Sequence, residues 1–146
     1  MALRLKHTND LDLSEHEIQK AFFNYVDRQI ALGKEEYEYI YSTKNEGKRS
    51  YKVAAMYRAT GMRRGVLDVS VDYPVAVGGA LWCPGLRIEF KAKKNKMSDD
   101  QQLWACRLLK AGFCVAVAYT AESAIAATRL YFAGELPAGN LHILGR

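Results

Sequence analysis

The segment "GLRIEFKAK" (residues 85–93) alternates apolar and polar side chains with the two-residue period of a β-strand. Its apolar face consists of Ile88, Phe90 and Ala92. The opposite face is polar, and it places the carboxylate of Glu89 and the ammonium group of Lys91 two residues apart. A strand this apolar belongs in the middle of a sheet, so the charged pair on its second face requires an explanation.

The preceding segment "GVLDVSVDYP" (residues 65–74) has the same period and predicts the strand that pairs with residues 85–93. In this segment Leu67, Val69 and Val71 alternate with Asp68, Ser70 and Asp72. If the two strands form a hairpin, Asp68, Glu89 and Lys91 project from the same face of the sheet. The connection over residues 74–85 is longer than a tight turn, so the sequence leaves the register open.

Two neighbouring carboxylates repel each other unless one is protonated or a cation lies between them. Mg²⁺ is bound by one or two carboxylates together with water and phosphate oxygens, which suits Asp68 and Glu89. Beside such an ion, Lys91 would orient the attacking water or help to deprotonate it. The pattern thus indicates metal-assisted phosphodiester hydrolysis. The alternative is an amphipathic strand whose polar face is only hydrated, since Glu-x-Lys tripeptides are common.

Basic residues are concentrated in two segments of a chain whose formal net charge is +5. Residues 44–64 contain seven basic residues and one acidic residue, and residues 87–96 contain five and one. These segments carry +6 and +4, which leaves −5 for the rest of the chain. This uneven distribution of charge predicts a basic surface that binds a polyanion, most simply nucleic acid, with an affinity that weakens as the salt concentration rises. Two ordinary solvated loops are the alternative.

Capping residues and apolar periodicity predict the helices. Ser14 with Glu17 three residues later forms a capping box that begins a helix over residues 14–32. Ser98 and Thr120 begin two further helices, and residues 50–60 predict a short one. The remaining strands are predicted at residues 37–42 and 113–119.

The order α, β, α, β, β, α, β, α predicts an α/β fold with a central mixed sheet flanked by helices. A length of 146 residues suits one domain over residues 1–146. We expect its core at residues 14–128 and a tail of uncertain structure at residues 133–146.

The sequence disfavours several other classes of protein. No apolar run approaches the roughly 18 to 20 residues of a membrane span, and the N-terminus does not resemble a signal peptide, so we expect a cytoplasmic protein that binds no membrane. Three cysteines without a Cys-x-x-Cys pair suggest neither disulfides nor a zinc site, and we expect all three to be buried. The three histidines are scattered, and no phosphate-binding P-loop is present.

Together these motifs resemble the PD-(D/E)xK nuclease superfamily and, within it, the virus-type replication-repair nuclease (VRR-NUC) domain of the stand-alone phage or prophage type. The residues that match the family pattern are, in chain order, Glu15 and Gln19, Asn45 and Gly47, Gly65 and Asp68, Glu89 and Lys91, Ser98 and Gln101, and Ala111 and Gly112. The match spans residues 14–128, and its specificity lies in the order and spacing of the motifs. One departure is Leu67, where the family often has proline. The resemblance implies a restriction-endonuclease-like core.

By this resemblance, Asp68 and Glu89 are metal ligands, the backbone carbonyl of Phe90 is a further ligand, and Lys91 is the catalytic lysine. Glu15 would complete the metal shell from the first helix, directly or through water. The residues themselves favour Glu15 over Glu17, because the capping box employs Glu17 whereas Glu15 shares the inward face of the helix.

Some candidate residues have two interpretations. Gln101 is the third residue after Ser98, so a helix cap explains it as well as a catalytic role does. Asp72 lies next to the turn, where we expect a strand-end residue. Gly61 and Gly65 flank two arginines and either let the backbone approach a phosphate or simply form turns. The residues predicted to contact nucleic acid are Lys48, Arg49, Arg63, Arg64, Lys93, Lys94 and Lys96.

The resemblance implies a Mg²⁺- or Mn²⁺-dependent endonuclease that acts on DNA. A small member of the family resembles homodimeric enzymes that resolve four-way (Holliday) junctions. One alternative is a flap, nicking or restriction-like duplex endonuclease. Another, from a different class, is a DNA-binding module without catalytic activity.

Overall fold

The computed structural model describes residues 13–43 and 51–146 of the chain. It confirms the predicted α/β class, because a five-stranded mixed sheet carries helices on both faces. The predicted DNA contacts Lys48 and Arg49, and the motif residues Asn45 and Gly47, lie outside the described residues.

The main sheet has the strand order β1-β2-β5-β6-β7. Its strands are β1 (Ile40–Ser42), β2 (Val69–Val71), β5 (Leu86–Phe90), β6 (Cys114–Ala118) and β7 (Leu141–Leu144). The pairs β1–β2 and β2–β5 are antiparallel, whereas β5–β6 and β6–β7 are parallel. β5 is therefore the central strand, and the chain direction changes across it.

The long connection between β2 and β5 forms a hairpin of its own. β3 (Val75–Val77) and β4 (Leu81–Cys83) pair antiparallel as a separate two-stranded sheet. Because this hairpin takes up the extra residues, β2 and β5 still pair with each other directly.

The helices are α1 (Glu15–Ala31), α2 (Tyr51–Ala59), α3 (Asp99–Lys110) and α4 (Ala121–Phe132). Ser14, Ser98 and Thr120 cap α1, α3 and α4, each through a reciprocal capping box. The cap side chains satisfy backbone N–H groups that have no partner within the helix. None of the described helices is long and apolar enough to cross a membrane.

Both faces of the sheet are covered, but by clusters of different size. Leu86, Ile88 and Phe90 of β5 pack with α1 and α4 in the larger cluster. The smaller cluster lies under α3 and includes Ala105 and Val115. A polar side chain on the α3 side of β5 is therefore shielded from solvent, although the apolar cluster around it is small.

The predicted strand at residues 37–42 is wrong in its first half. Glu35–Tyr39 form a 3₁₀ helix, and only Ile40–Ser42 form β1. The ring of Tyr37 packs against Tyr25 and Phe132, with centroid distances of 5.8 and 5.0 Å. These tertiary contacts override the preference of tyrosine for strands.

Two further expectations about strands need correction. The stretch of residues 133–146 contains β7, which pairs with β6 and which the sequence did not predict. Leu67 does not share the environment of Val69 and Val71, because it packs under α3 while they lie in the larger cluster. The reason is that the chain bends at Asp68 and regular strand geometry begins only at Val69.

The cysteines are not all buried, as the sequence had suggested. Cys83 and Cys114 are buried with their sulfur atoms 3.3 Å apart, whereas Cys106 is exposed. Cys106 follows the buried Ala105 on α3, and the next residue of a helix points about 100° away from its predecessor.

Candidate active site

The register of β2 and β5 brings Asp68 and Glu89 opposite each other. Val69 pairs with Ile88, so the next position of the ladder joins Asp68 to Glu89. The Phe90 N–H donates to Asp68 Oδ2 at 2.9 Å, and the Asp68 N–H donates to Glu89 Oε2 at 3.2 Å. Each carboxylate is thus held by the backbone of the neighbouring strand segment, in a register that the sequence left open.

Lys91 lies beside Glu89 on the same face of β5, and both side chains are buried. Its Nζ lies 3.1 Å from Glu89 Oε1, and the relative exposures of Glu89 and Lys91 are 1% and 7%. The backbone N–H of Lys91 donates to the carbonyl of Ala118, which fixes the residue at the end of β6. This burial excludes the alternative of a polar face that is merely hydrated.

Gln101 forms the helix cap that its sequence position allowed, and it also donates a hydrogen bond to Glu89. Its Oε1 accepts a hydrogen bond from the Ser98 N–H at 2.9 Å, which is the reciprocal half of the capping box. Its Nε2 donates to Glu89 Oε1 at 2.5 Å. The cap therefore orients the amide so that its NH₂ group faces the carboxylate.

The environment of Glu89 disfavours its ionised form. Burial is the main cause, followed by the nearby charge of Asp68, and together they raise the pKa of Glu89 to about 8, although Lys91 acts in the opposite direction. A carboxyl group in this state holds a proton near neutral pH unless additional positive charge arrives. Because metal ligands must be deprotonated, the ionised form of Glu89 and a bound cation would favour each other.

Glu15 and Glu17 have separate partners. Glu17 is engaged in the capping box, since its Oε2 accepts from the Ser14 N–H at 2.8 Å. Glu15 Oε1 instead accepts from the Ala92 N–H at 3.4 Å and from Asn95 Nδ2 at 3.3 Å. Of the two helix carboxylates, it is Glu15 that contacts the segment following Lys91.

The described carboxylates would suit an ion that needs few protein ligands. Within residues 13–43 and 51–146, no group of three or more His, Cys, Asp or Glu side chains is arranged to hold a metal. Asp68 and Glu89 do meet, and the Phe90 carbonyl belongs to the same strand end. Mg²⁺ requires only one or two carboxylates, because water and phosphate fill the remaining positions.

Two exposed basic segments adjoin the strands that carry these groups. Arg63 and Arg64 lie in the loop before Asp68, and the other segment follows β5. The latter contains the exposed residues Lys93, Lys94 and Lys96. Lys93 has a φ of 55°, a left-handed conformation that is uncommon outside glycine and that clusters at binding sites.

Asp72 is placed away from this group of side chains. It forms an ion pair with Arg87 at 3.1 Å and accepts a hydrogen bond from the Tyr41 hydroxyl at 2.8 Å. These contacts agree with the expected role at a strand end.

Sequence reasoning missed three residues that support the site. The Thr43 N–H donates to the carbonyl of Asp68 at 2.9 Å and ties Asp68 to the end of β1. Asn95 contacts Glu15, and its own carbonyl accepts a hydrogen bond from the Tyr119 hydroxyl. Asn95 could have drawn attention in the sequence, because it interrupts a run of lysines. The sequence around Thr43 and Tyr119 contains no comparable signal.

The fold of this chain is similar to that of a solved structure. A protein described as "VRR_NUC domain protein" is similar over 88% of this chain and 93% of its own, with 25% sequence identity and a TM-score of 0.68. No family model matches the sequence, and no curated protein sequence matches it. The likeness supports a VRR-NUC fold for this chain.

We expect the metal-free protein to lose stability as pH rises from about 5 to about 8. In the unfolded chain Glu89 ionises near its ordinary pKa of 4.5, whereas the folded protein keeps the proton until about 8. The folded state therefore binds more protons in this window, and raising the pH favours unfolding. Urea unfolding across the window, with Glu89→Gln as the control that cannot titrate, measures the effect. Equal pH slopes for the two proteins would contradict it.

Proposed function

We propose that this protein is a metal-dependent endonuclease that hydrolyses phosphodiester bonds in DNA. The observation that carries the proposal is the meeting of Asp68 and Glu89 with Lys91, whose ammonium lies 3.1 Å from the Glu89 carboxylate in a buried site. A module that only binds DNA has no need to bury a lysine together with a carboxylate, Glu89, that adjoins a second carboxylate. The similarity to a VRR_NUC domain protein supports the same assignment.

Asp68, Glu89 and the backbone carbonyl of Phe90 would hold Mg²⁺ or Mn²⁺, with Glu15 as a further ligand, directly or through water. When bound, the ion would supply Lewis-acid activation of water and of the scissile phosphate. Glu89 must be ionised to act as a ligand, and the positive charge of the ion favours this form. Gln101 then remains a donor to one oxygen of Glu89 and restricts the rotation of that carboxylate.

Lys91, as an ammonium, is proposed to orient the attacking water, to make its deprotonation easier by stabilising the hydroxide that forms, and to offset the charge on the phosphate. Its ammonium is rigidly placed because its backbone is bonded to β6 and its side chain to Glu89. Positive charge fixed in a water-poor site stabilises a developing anion more strongly than it would in solvent.

DNA is the proposed substrate because the basic residues are concentrated near this group. Arg63, Arg64, Lys93, Lys94 and Lys96 are proposed to contact the phosphate backbone, together with Lys48 and Arg49. Such contacts position the duplex but do not read its sequence.

Replacing Lys91 with Ala is expected to lower metal-dependent DNA cleavage by at least about 10²-fold while DNA binding is nearly retained. Asp68→Asn should abolish cleavage as well, because it removes a ligand charge without removing bulk. Cleavage of labelled DNA with Mg²⁺ and a binding titration without metal measure the two properties. Lys110→Ala, at the exposed end of α3, is the matched lysine control and should behave as the wild type. A wild-type protein that binds DNA but never cuts it would favour the non-catalytic binding module.

Arg63→Ala and Arg64→Ala should each weaken DNA binding to a similar extent for all sequences. Each substitution removes a phosphate contact, so the slope of log K against log salt should fall in magnitude by about 1. Titrations at several salt concentrations measure the slope. Arg129→Ala on α4, which packs on the opposite face of the sheet, is the control and should leave the slope unchanged. Unaltered slopes for both loop variants would place the DNA elsewhere.

The proposed substrate is a four-way junction, which a homodimer would cut at two symmetric positions with its two sites. The junction is what the family resemblance implies. The dimer follows from geometry, because paired incisions across a junction require two active sites and residues 13–43 and 51–146 offer one set of these side chains. Comparing a four-way junction, a flap and a linear duplex in Mg²⁺ tests the preference, and equilibrium sedimentation at micromolar concentration tests the dimer. Symmetric nicks by a dimer are expected. A monomer that prefers the flap or the duplex would overturn the junction assignment and leave the nuclease assignment in place.

A further inference from the structure

Gly65 lies in direct contact with the backbone of the first turn of α3. A Cβ atom built at this position would lie 2.3 Å from the carbonyl carbon of Asp100, 2.4 Å from its oxygen and 2.7 Å from the backbone nitrogen of Gln101. Atoms of a real side chain do not approach backbone so closely. Residue 65 also has a φ of +76°, so it is glycine for two separate reasons.

The nearby Gly61 shows that the contact is specific to residue 65. Gly61 has a φ of +104°, yet a Cβ built on it would meet no atom within 4 Å. Turn geometry alone therefore explains Gly61, whereas Gly65 requires both the turn geometry and the absence of a side chain. The two glycines flank the same residues, Met62, Arg63 and Arg64.

We propose that Gly65 is a positioning residue, whose lack of a side chain lets the arginine loop (residues 62–66) rest on α3 and thereby keeps Gln101 bonded to Glu89. Both residues that meet at this contact are close to the candidate active site. Gly65 precedes Asp68 by three residues, and the nitrogen it touches belongs to Gln101, whose side chain donates to Glu89 Oε1. This inference rests on the proposed nuclease function, because it concerns the geometry of that same site.

The contact joins the proposed DNA-binding loop to the proposed site of cleavage. A methyl group at residue 65 would force either the loop or the start of α3 to move outward. Movement of α3 would carry the Gln101 amide away from Glu89, because the capping box with Ser98 holds that side chain to the helix end. Movement of the loop would shift Arg63 and Arg64 relative to Asp68.

The test compares Gly65→Ala with Gly61→Ala, which imposes similar backbone strain without the collision. With the DNA that the wild type cuts fastest, Gly65→Ala should lower kcat by about 10²-fold, as expected for a displacement of about 1 Å in an active site. Its DNA affinity without metal should stay within about twofold of the wild type, since both arginines remain. Gly61→Ala should cut and bind as the wild type does. Equal kcat values for the two variants would overturn the inference and leave the nuclease assignment intact.

A double substitution separates positioning from general loss of structure. If Gly65 acts through Gln101, the change Gly65→Ala should have little further effect on kcat in a Gln101→Ala background, because residues of one unit are not additive. Fully additive losses would contradict the proposed connection.

Two further measurements keep the inference testable if cleavage or folding fails. The side-chain amide resonance of Gln101, assigned by its loss in Gln101→Ala, should shift in Gly65→Ala and not in Gly61→Ala, and this comparison needs no catalysis.

If Gly65→Ala does not fold, Ser98→Ala loosens the same helical turn without inserting an atom, and Thr120→Ala is the matched cap control on α4. A larger loss of kcat in Ser98→Ala than in Thr120→Ala is expected, and equal effects would overturn the inference.

Discussion

The burial of the Glu89 carboxylate is the constraint on which the rest of the site depends. A carboxylate that is 1% exposed cannot be solvated by bulk water, so the protein must supply every partner that it needs. The Asp68 N–H, the Lys91 ammonium and the Gln101 amide supply them. These partners do not fully offset the cost of burial and of the neighbouring Asp68, because the pKa of Glu89 still rises to about 8. The ionised form of Glu89 is therefore unfavourable without a further positive charge, which the proposed metal ion would supply.

The sheet topology explains why these partners converge at one end of β5. β2 runs antiparallel to β5, so Asp68, just before β2, lies beside the last residues of β5. β6 runs parallel to β5, so its end provides the Ala118 carbonyl that holds the backbone of Lys91. The helix that begins shortly after β5 returns Gln101 to the same position. A sheet with uniform strand direction would not bring the start of one strand and the end of its neighbour together.

Much of the fold could be predicted because its causes are local in sequence. Capping boxes determine where α1, α3 and α4 begin, and each box can be recognised in the sequence as two residues three positions apart. The alternation in residues 85–93 likewise predicted the two faces of β5. The pairing of Asp68 with Glu89 was harder to predict, since it depends on how the β3–β4 hairpin takes up the long connection between β2 and β5. β7, the 3₁₀ helix around Tyr37 and the contact of Gly65 with α3 arise from packing between distant parts of the chain, which no short pattern encodes.

A direct search for the proposed metal ion is the most decisive measurement. Crystals soaked in Mn²⁺ and measured for anomalous scattering would locate the ion relative to Asp68 and Glu89. The account predicts a peak at coordination distance from an oxygen of each carboxylate and from the Phe90 carbonyl, and no such peak in Asp68→Asn. A wild-type site without a peak at saturating Mn²⁺, with Lys91 and Glu89 still paired, would contradict it.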